Sequence, residues 1–123
     1  MAITRARVDL VIQNNATWLD AFQFGTVGDL TWNFTGQNFR LDVKGNRDQT
    51  ATLLSLTTGA GTIVVDDVTQ RILHLNVPEA SIISVLLPGE YIYELVMYDN
   101  STPVVRVPLM GGELRVEQGI AGG

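Results

Sequence analysis

The sequence predicts an all-β fold, an antiparallel sandwich of about seven to nine short strands with one short helical turn. Apolar and polar residues alternate with a period of two along most of the 123 residues, as they do where one strand face is buried and the other wet. Turn chemistry interrupts the alternation at strand-length intervals, at Asn14-Asn15, Gly45-Asn46, Gly59-Ala60-Gly61 and Asp66-Asp67. The run Leu87-Pro88-Gly89-Glu90-Tyr91-Ile92-Tyr93 then delivers a tight corner straight into a strand. A tyrosine just inside a strand after such a corner is the layout of immunoglobulin-like sandwiches, where its hydroxyl bonds back to upstream backbone. Tyr91 fills that position, with Pro88 and Gly89 making the corner, and Tyr93 stands where antibody domains carry their second cysteine. Tyr91 is expected to be largely buried, its hydroxyl satisfied at the corner. A closed barrel is the runner-up.

Taken in order, Arg5 to Ile12 alternates, with Ala6, Val8, Leu10 and Ile12 on one face. Thr17 to Phe24 follows, placing Trp18, Phe22 and Phe24 together and interrupting them with Asp20. Gly25 to Gly36 reads as a loop with one short strand at Leu30 to Asn33. Phe39, Leu41 and Val43 alternate cleanly against Arg40, Asp42 and Lys44, a half-exposed strand. Ala51 to Thr57 and Thr62 to Val65 read as a hairpin around the glycine loop. In Arg71 to Val77, Leu73, Leu75 and Val77 oppose Ile72, His74 and Asn76.

Pro78 to Leu87 breaks the period. Pro78 suits a first helical turn, Glu79 its positive end, and Ile82, Ile83 and Leu86 recur at helical spacing, which predicts one or two turns closing an end of the sandwich. Tyr91 to Tyr98 is the central strand, with Tyr91, Tyr93, Leu95 and Met97 on one face. Pro103 and Pro108 mark the strand Val104 to Leu109 as a sheet edge. Gly111-Gly112 reads as a break before a last strand, Glu113 to Glu117. Residues 1–123 are read as a single sandwich domain, with 118–123 a flexible glycine-rich tail.

Composition narrows the function classes. There are no cysteines, so neither disulfides nor thiolate metal sites are available, which fits assembly in a reducing cytoplasm. The net charge of −5 and scattered cations argue against nucleic acid, whose phosphates demand a basic face. No apolar run approaches the roughly 18 residues of a membrane span, and Met1-Ala2-Ile3-Thr4-Arg5 does not open a signal peptide, so a soluble, unsecreted protein without a membrane partner is expected.

Residues with possible chemistry are sparse. His74 is the sole histidine, without a nucleophile at useful spacing, and reads as a surface residue. Asp66-Asp67 with Asp48 or Asp99 lacks the spacing of a calcium loop. Glu90 and Glu94 are too far apart along a strand to act on one bond and read as solvated. Asn15-Ala16-Thr17, Asn33-Phe34-Thr35 and Asn100-Ser101-Thr102 match the glycosylation pattern and read as chance matches. Arg40, Lys44 and Arg47 read as charge protecting a sheet edge. No catalytic, cofactor-binding or metal-ligating residues are assigned, no cofactor is expected, and an enzyme is not. Trp32 and Phe34, on a glycine-flanked loop, are the aromatics expected to be exposed and are the candidate interface.

The ordered segments T-W-L-D-A-F-Q-F (17–24), F-T-G-Q-N-F-R-L-D-V-K (34–44), L-L-S-L-T-T-G-A-G-T-I (53–63) and L-P-G-E-Y-I-Y-E-L (87–95) resemble small structural proteins of tailed-bacteriophage virions. The pattern is similar to the N-terminal domain of phage baseplate upper proteins and runs over nearly the whole chain. The resemblance implies a non-enzymatic β-sandwich in the virion, assembled in the host cytoplasm, a tail or baseplate adaptor or a capsid decoration that docks onto other virion proteins. Two departures stand out: the family's Asp-Leu-Thr-Gly turn is split between Asp29-Leu30-Thr31 and Thr35-Gly36, and no receptor-binding extension follows the last strand, which argues against an adhesin. The alternative function is an immunoglobulin-like carbohydrate or cell-surface binding module. With 46% apolar and only 17% charged residues, against about 25% charged in an average domain, a homo-oligomer, trimer or hexamer, is expected, its contacts made by the N-terminal strand and the strand 113–117.

Overall fold

Period-two alternation becomes two facing sheets. The computed structural model describes residues 6–24, 34, 36–45, 51–83, 85–99 and 106–118. Within them the strands are β1 (Ala6–Arg7), β2 (Leu10–Gln13), β3 (Trp18–Gln23), β4 (Asn38–Lys44), β5 (Leu54–Thr57), β6 (Ile63–Asp67), β7 (Ile72–Val77), β8 (Gly89–Tyr98) and β9 (Arg106–Glu117), and one helix, α1 (Glu79–Ile83), joins β7 to β8. The larger sheet runs β1-β9-β8-β4-β5 with β2 also on β9, and the smaller runs β3-β7-β6. Every pairing is antiparallel except that of β1 and β2 with β9, which is parallel. Two sheets with this order make an immunoglobulin-like sandwich.

The inner faces are those the alternation selects. Tyr93, Leu95 and Met97 of β8 and Phe39, Leu41 and Val43 of β4 are buried in one cluster with Trp18, Ile63, Leu73, Leu75 and Val77 of the smaller sheet. Ile82 and Leu86, both fully buried, close the cluster at the α1 end. The turn between β6 and β7 is held differently. Arg71 takes a left-handed φ of 59°, and its guanidinium donates to the carbonyls of Phe24 at 2.7 Å and Thr69 at 2.6 Å.

Several expectations are overturned. β5 and β6 are not a hairpin: β5 pairs with β4 and β6 with β7, so the glycine loop carries the chain from one sheet to the other. Thr57 and Thr62 tie that crossing, since the Thr57 N–H donates to the Thr62 hydroxyl at 3.0 Å. Alternation reports which face of a strand is wet, not which sheet the strand joins. The basic edge is also not an edge, because β4 lies between β5 and β8; Arg40 instead pairs with Asp42 at 2.9 Å, and Arg47 lies outside the described residues.

Pro108 sits beside a bulge of β9, in a stretch, residues 106–109, that pairs with β8 alone among the described residues. The register steps from Leu95↔Met110 to Val96↔Pro108, so Leu109 is the extra residue of a bulge, and Leu109 and Met110 are both buried. A bulge tolerates the missing proline donor as well as an edge does. The segment 113–117 is not open to a neighbour's sheet, whereas the N-terminal strand keeps its outer side unpaired among the described residues. They pair with each other, so β9 is flanked by β8 on one side and by β1 and β2 on the other. Leu30 to Asn33, Pro103 and Val104 lie outside the described residues.

Gly111-Gly112 is not a break but the middle of β9. β1 and β2 keep one register against it, Arg7↔Gly111 and Leu10↔Leu114, yet the chain steps out of strand geometry at Val8-Asp9. At that step a Cβ on Gly112 would lie 2.6 Å from the Val8 carbonyl oxygen and 2.8 Å from Asp9 Oδ1. Glycine here permits backbone approach. Polar groups at the step find partners across it: Val8 N–H donates to the Gly111 carbonyl at 3.0 Å, Glu113 N–H to Asp9 Oδ1 at 2.9 Å, and the Tyr93 hydroxyl to the Val8 carbonyl. Tyr93 sits directly opposite Gly112, so the missing side chain makes the room that the carbonyl fills. Tyr93→Phe should lower unfolding free energy by about 1–2 kcal/mol through the orphaned carbonyl. Gly112→Ala should cost about 1–3 kcal/mol by overpacking. Urea denaturation checks both, and an unchanged midpoint for Gly112→Ala would mean that the step yields freely.

Candidate functional site

The corner that opens β8 is built as its residues suggest. Gly89 begins the strand opposite Val116, and the Tyr91 hydroxyl donates to the Leu87 carbonyl, four residues back, at 2.6 Å. Tyr91 is half-buried rather than largely buried. Its ring packs on the edge of the core, while its acceptor belongs to Leu87, a residue 68% exposed, so the hydroxyl end must reach the surface. Tyr93 is the buried member of the pair, at 3% exposure. The corner therefore positions the connection before it and presents no binding chemistry of its own.

Phe34 is not an exposed contact residue. It is 1% exposed, its ring edge-on to Phe39 at a centroid distance of 4.6 Å and tilted against Phe24 at 5.9 Å. Its backbone N–H donates to the Val68 carbonyl at 3.0 Å. The glycines around it signal a loop, but the sandwich needs an apolar plug at this end, and an edge-on aromatic trio supplies one. Trp32 lies outside the described residues.

Several titratable groups are engaged in surface pairs. His74 Nδ1 faces the Asp66 carboxylate at 2.8 Å, on the outward side of the smaller sheet between Ala21 and Val64. Asp67 Oδ1 accepts the Thr69 and Gln70 N–H groups at 3.0 and 2.9 Å, the ordinary work of an aspartate in a turn. Asp48 lies outside the described residues, and among those described no three His, Cys, Asp or Glu gather as a metal set. Glu90 is exposed and Glu94 half-buried, opposite Asp42 on the outward face of the larger sheet.

That outward face carries a shallow depression of about 410 Å³, floored by Gly112 and ringed by Arg7, Asp42, Lys44, Glu94 and Glu113. Asp42 accepts from Arg40 at 2.9 Å and from the Ser55 hydroxyl at 2.8 Å. The Asp42 hydrogen bond, with its charge, raises the Arg40 guanidinium above its ordinary pKa. Arg7 reaches Asp9 and Glu113 at 3.5 and 3.8 Å, exposed pairs of small energetic weight. Both signs of charge line the depression, which therefore presents no single-sign patch to a ligand.

The exposed apolar residues are less evenly spread. Ile83, Val85 and Leu87 are 47%, 41% and 68% exposed, all within five consecutive positions at the α1 end. Leu53, 38% exposed, lies on the β4–β5 connection, which leaves β4 where Lys44 pairs with Ile92 near the start of β8. The signal was present in Ile82-Ile83-Ser84-Val85-Leu86-Leu87: a single helical turn buries one side, so a run apolar on all sides must leave part of itself in water.

No family model matches the sequence, and a search of curated proteins finds no match. Among solved structures the chain is similar to Drosophila OTK, extracellular domains 3-5, at 16% identity and a TM-score of 0.35. The match covers 96% of this chain and 35% of that one, so the chain spans about a third of its length. The strand order of the chain itself defines the sandwich. Tyr91→Phe should lower stability by about 1 kcal/mol, the usual net value of one such bond, and by less than Tyr93→Phe because water can replace the half-exposed partner. A thermal melt identical to that of the parent would show that the corner hydroxyl contributes nothing.

Proposed function

We propose that this chain is a non-enzymatic structural module of a tailed-bacteriophage virion, a tail or baseplate adaptor or a capsid decoration, that acts by docking onto other virion proteins. The observation that carries the docking role is the exposed trio Ile83, Val85 and Leu87. Burying what remains exposed of each side chain contributes roughly 1 kcal/mol, so three on one connection make a useful anchor. The anchor is rigidly mounted, because the interleaved Ile82 and Leu86 are fully buried and the Tyr91 hydroxyl holds Leu87 by its carbonyl. The virion assignment is supported by the ordered segments that resemble phage structural proteins, which include both the corner and β3. Repetition in a symmetric particle favours a closed homo-oligomer.

Particles purified from the phage or prophage that carries the gene should contain the chain at fixed stoichiometry by quantitative mass spectrometry. Ile83→Asp with Leu87→Asp should melt at the parental temperature and be lost from those particles by about tenfold or more. Absence of the parental chain from particles, together with glycan binding by the monomer, would overturn this assignment in favour of a carbohydrate or cell-surface binding module.

A further inference from the structure

Among the described residues β1 and β2 pair with β9 and β3 pairs only with β7, so the other side of Trp18–Gln23 has no strand partner there over its six residues. Native proteins blunt such edges with charge, proline, bulges or short length. The other edges follow that rule. β6 carries a bulge between Val65 and Asp67 and ends in Asp66-Asp67. β5 has four residues, and β1 with β2 is interrupted at Val8-Asp9.

β3 carries only one such device, a carboxylate on its inward side. Its six residues keep one even register against β7, with no bulge, no proline and no cation. Its single carboxylate, Asp20, is committed to the Trp18 indole N–H at 2.6 Å. Leu19, 65% exposed, and Ala21 stand on its outward side.

We propose that β3 pairs with itself: two copies of this chain join antiparallel along 19–23 about a two-fold axis, fusing their smaller sheets into one of six strands. The faces select the register. Residues opposite one another in an antiparallel pair point to the same side, so both sandwiches keep their cores on one side only when the axis passes through a residue. An axis at Asp20 would set the two carboxylates directly opposite each other. An axis at Ala21 sets Leu19 opposite Gln23, Asp20 opposite Phe22 and Ala21 opposite its own copy, with no carboxylate facing another. In a chain of net charge −5, that absence of like-charge opposition favours a second copy as the occupant. The contact does not rest on the virion assignment and uses none of the residues of the Ile83–Leu87 end. It fits a dimer, or a hexamer that also has three-fold contacts, and a closed trimer has no two-fold axis to accommodate it.

Sedimentation velocity on the full chain at tens of micromolar reads the proposal directly, independently of incorporation into particles. The parent should sediment as a dimer or a multiple of one, and a strict monomer would overturn the proposal. Ala21→Lys and Ala21→Glu alter one exposed side chain each, so both should melt as the parent does. Each alone should dimerise about tenfold or more weakly, because like charges then meet across the axis. Mixing the two should restore the dimer through the opposed ammonium and carboxylate. Parental association by Ala21→Lys alone would overturn the contact, and failure of the mixture to recover would overturn the Ala21 register.

Discussion

The Val8 carbonyl, turned inward above Gly112 and held by the Tyr93 hydroxyl, is the contact on which the arrangement of the sheets depends. A backbone acceptor driven into a core needs a donor, and the space it enters must be vacant. β8 supplies the donor and β9 the vacancy, while Asp9 takes the Glu113 N–H that the step would otherwise orphan. With those terms met, the first strands lie along β9 in one register despite the interruption, and β9 is flanked on both sides from Met110 onward. Among the described residues β3 has no second neighbour.

The two ends of the sandwich are closed in contrasting ways. At one, Phe24, Phe34 and Phe39 turn their rings toward one another and keep apolar surface inside. At the other, a single helical turn and its following residues bury Ile82 and Leu86 but display Ile83, Val85 and Leu87. A longer helix would have sorted those side chains by face. One turn cannot, and the result is an apolar end fixed in place by the tyrosine corner.

Much of this was legible wherever one physical cause dominates. The inward faces of β4, β7 and β8 follow from alternation, the helical turn from Pro78 and Glu79, and the Tyr91 hydrogen bond from the corner before it. What was not legible involved residues with two uses. Gly112 allows a close approach yet reads as a turn, and Pro108 reads as an edge without announcing the bulge at Leu109 beside it. Gly59-Ala60-Gly61 links two strands that belong to different sheets, a fact that no local pattern carries. Phe34 was placed by loop composition, whereas the need to cap the core decided its burial.

The parallel union of β1 and β2 with β9 has a mechanical side. Chain entering β1 and chain leaving β9 attach at opposite ends of one ladder. Tension between those attachments therefore acts along the strands and strains the ladder's hydrogen bonds together in shear, rather than peeling them one by one. A load-sharing clasp of this kind resists extension until several bonds give way at once, and the locked step at Val8 sits in its middle.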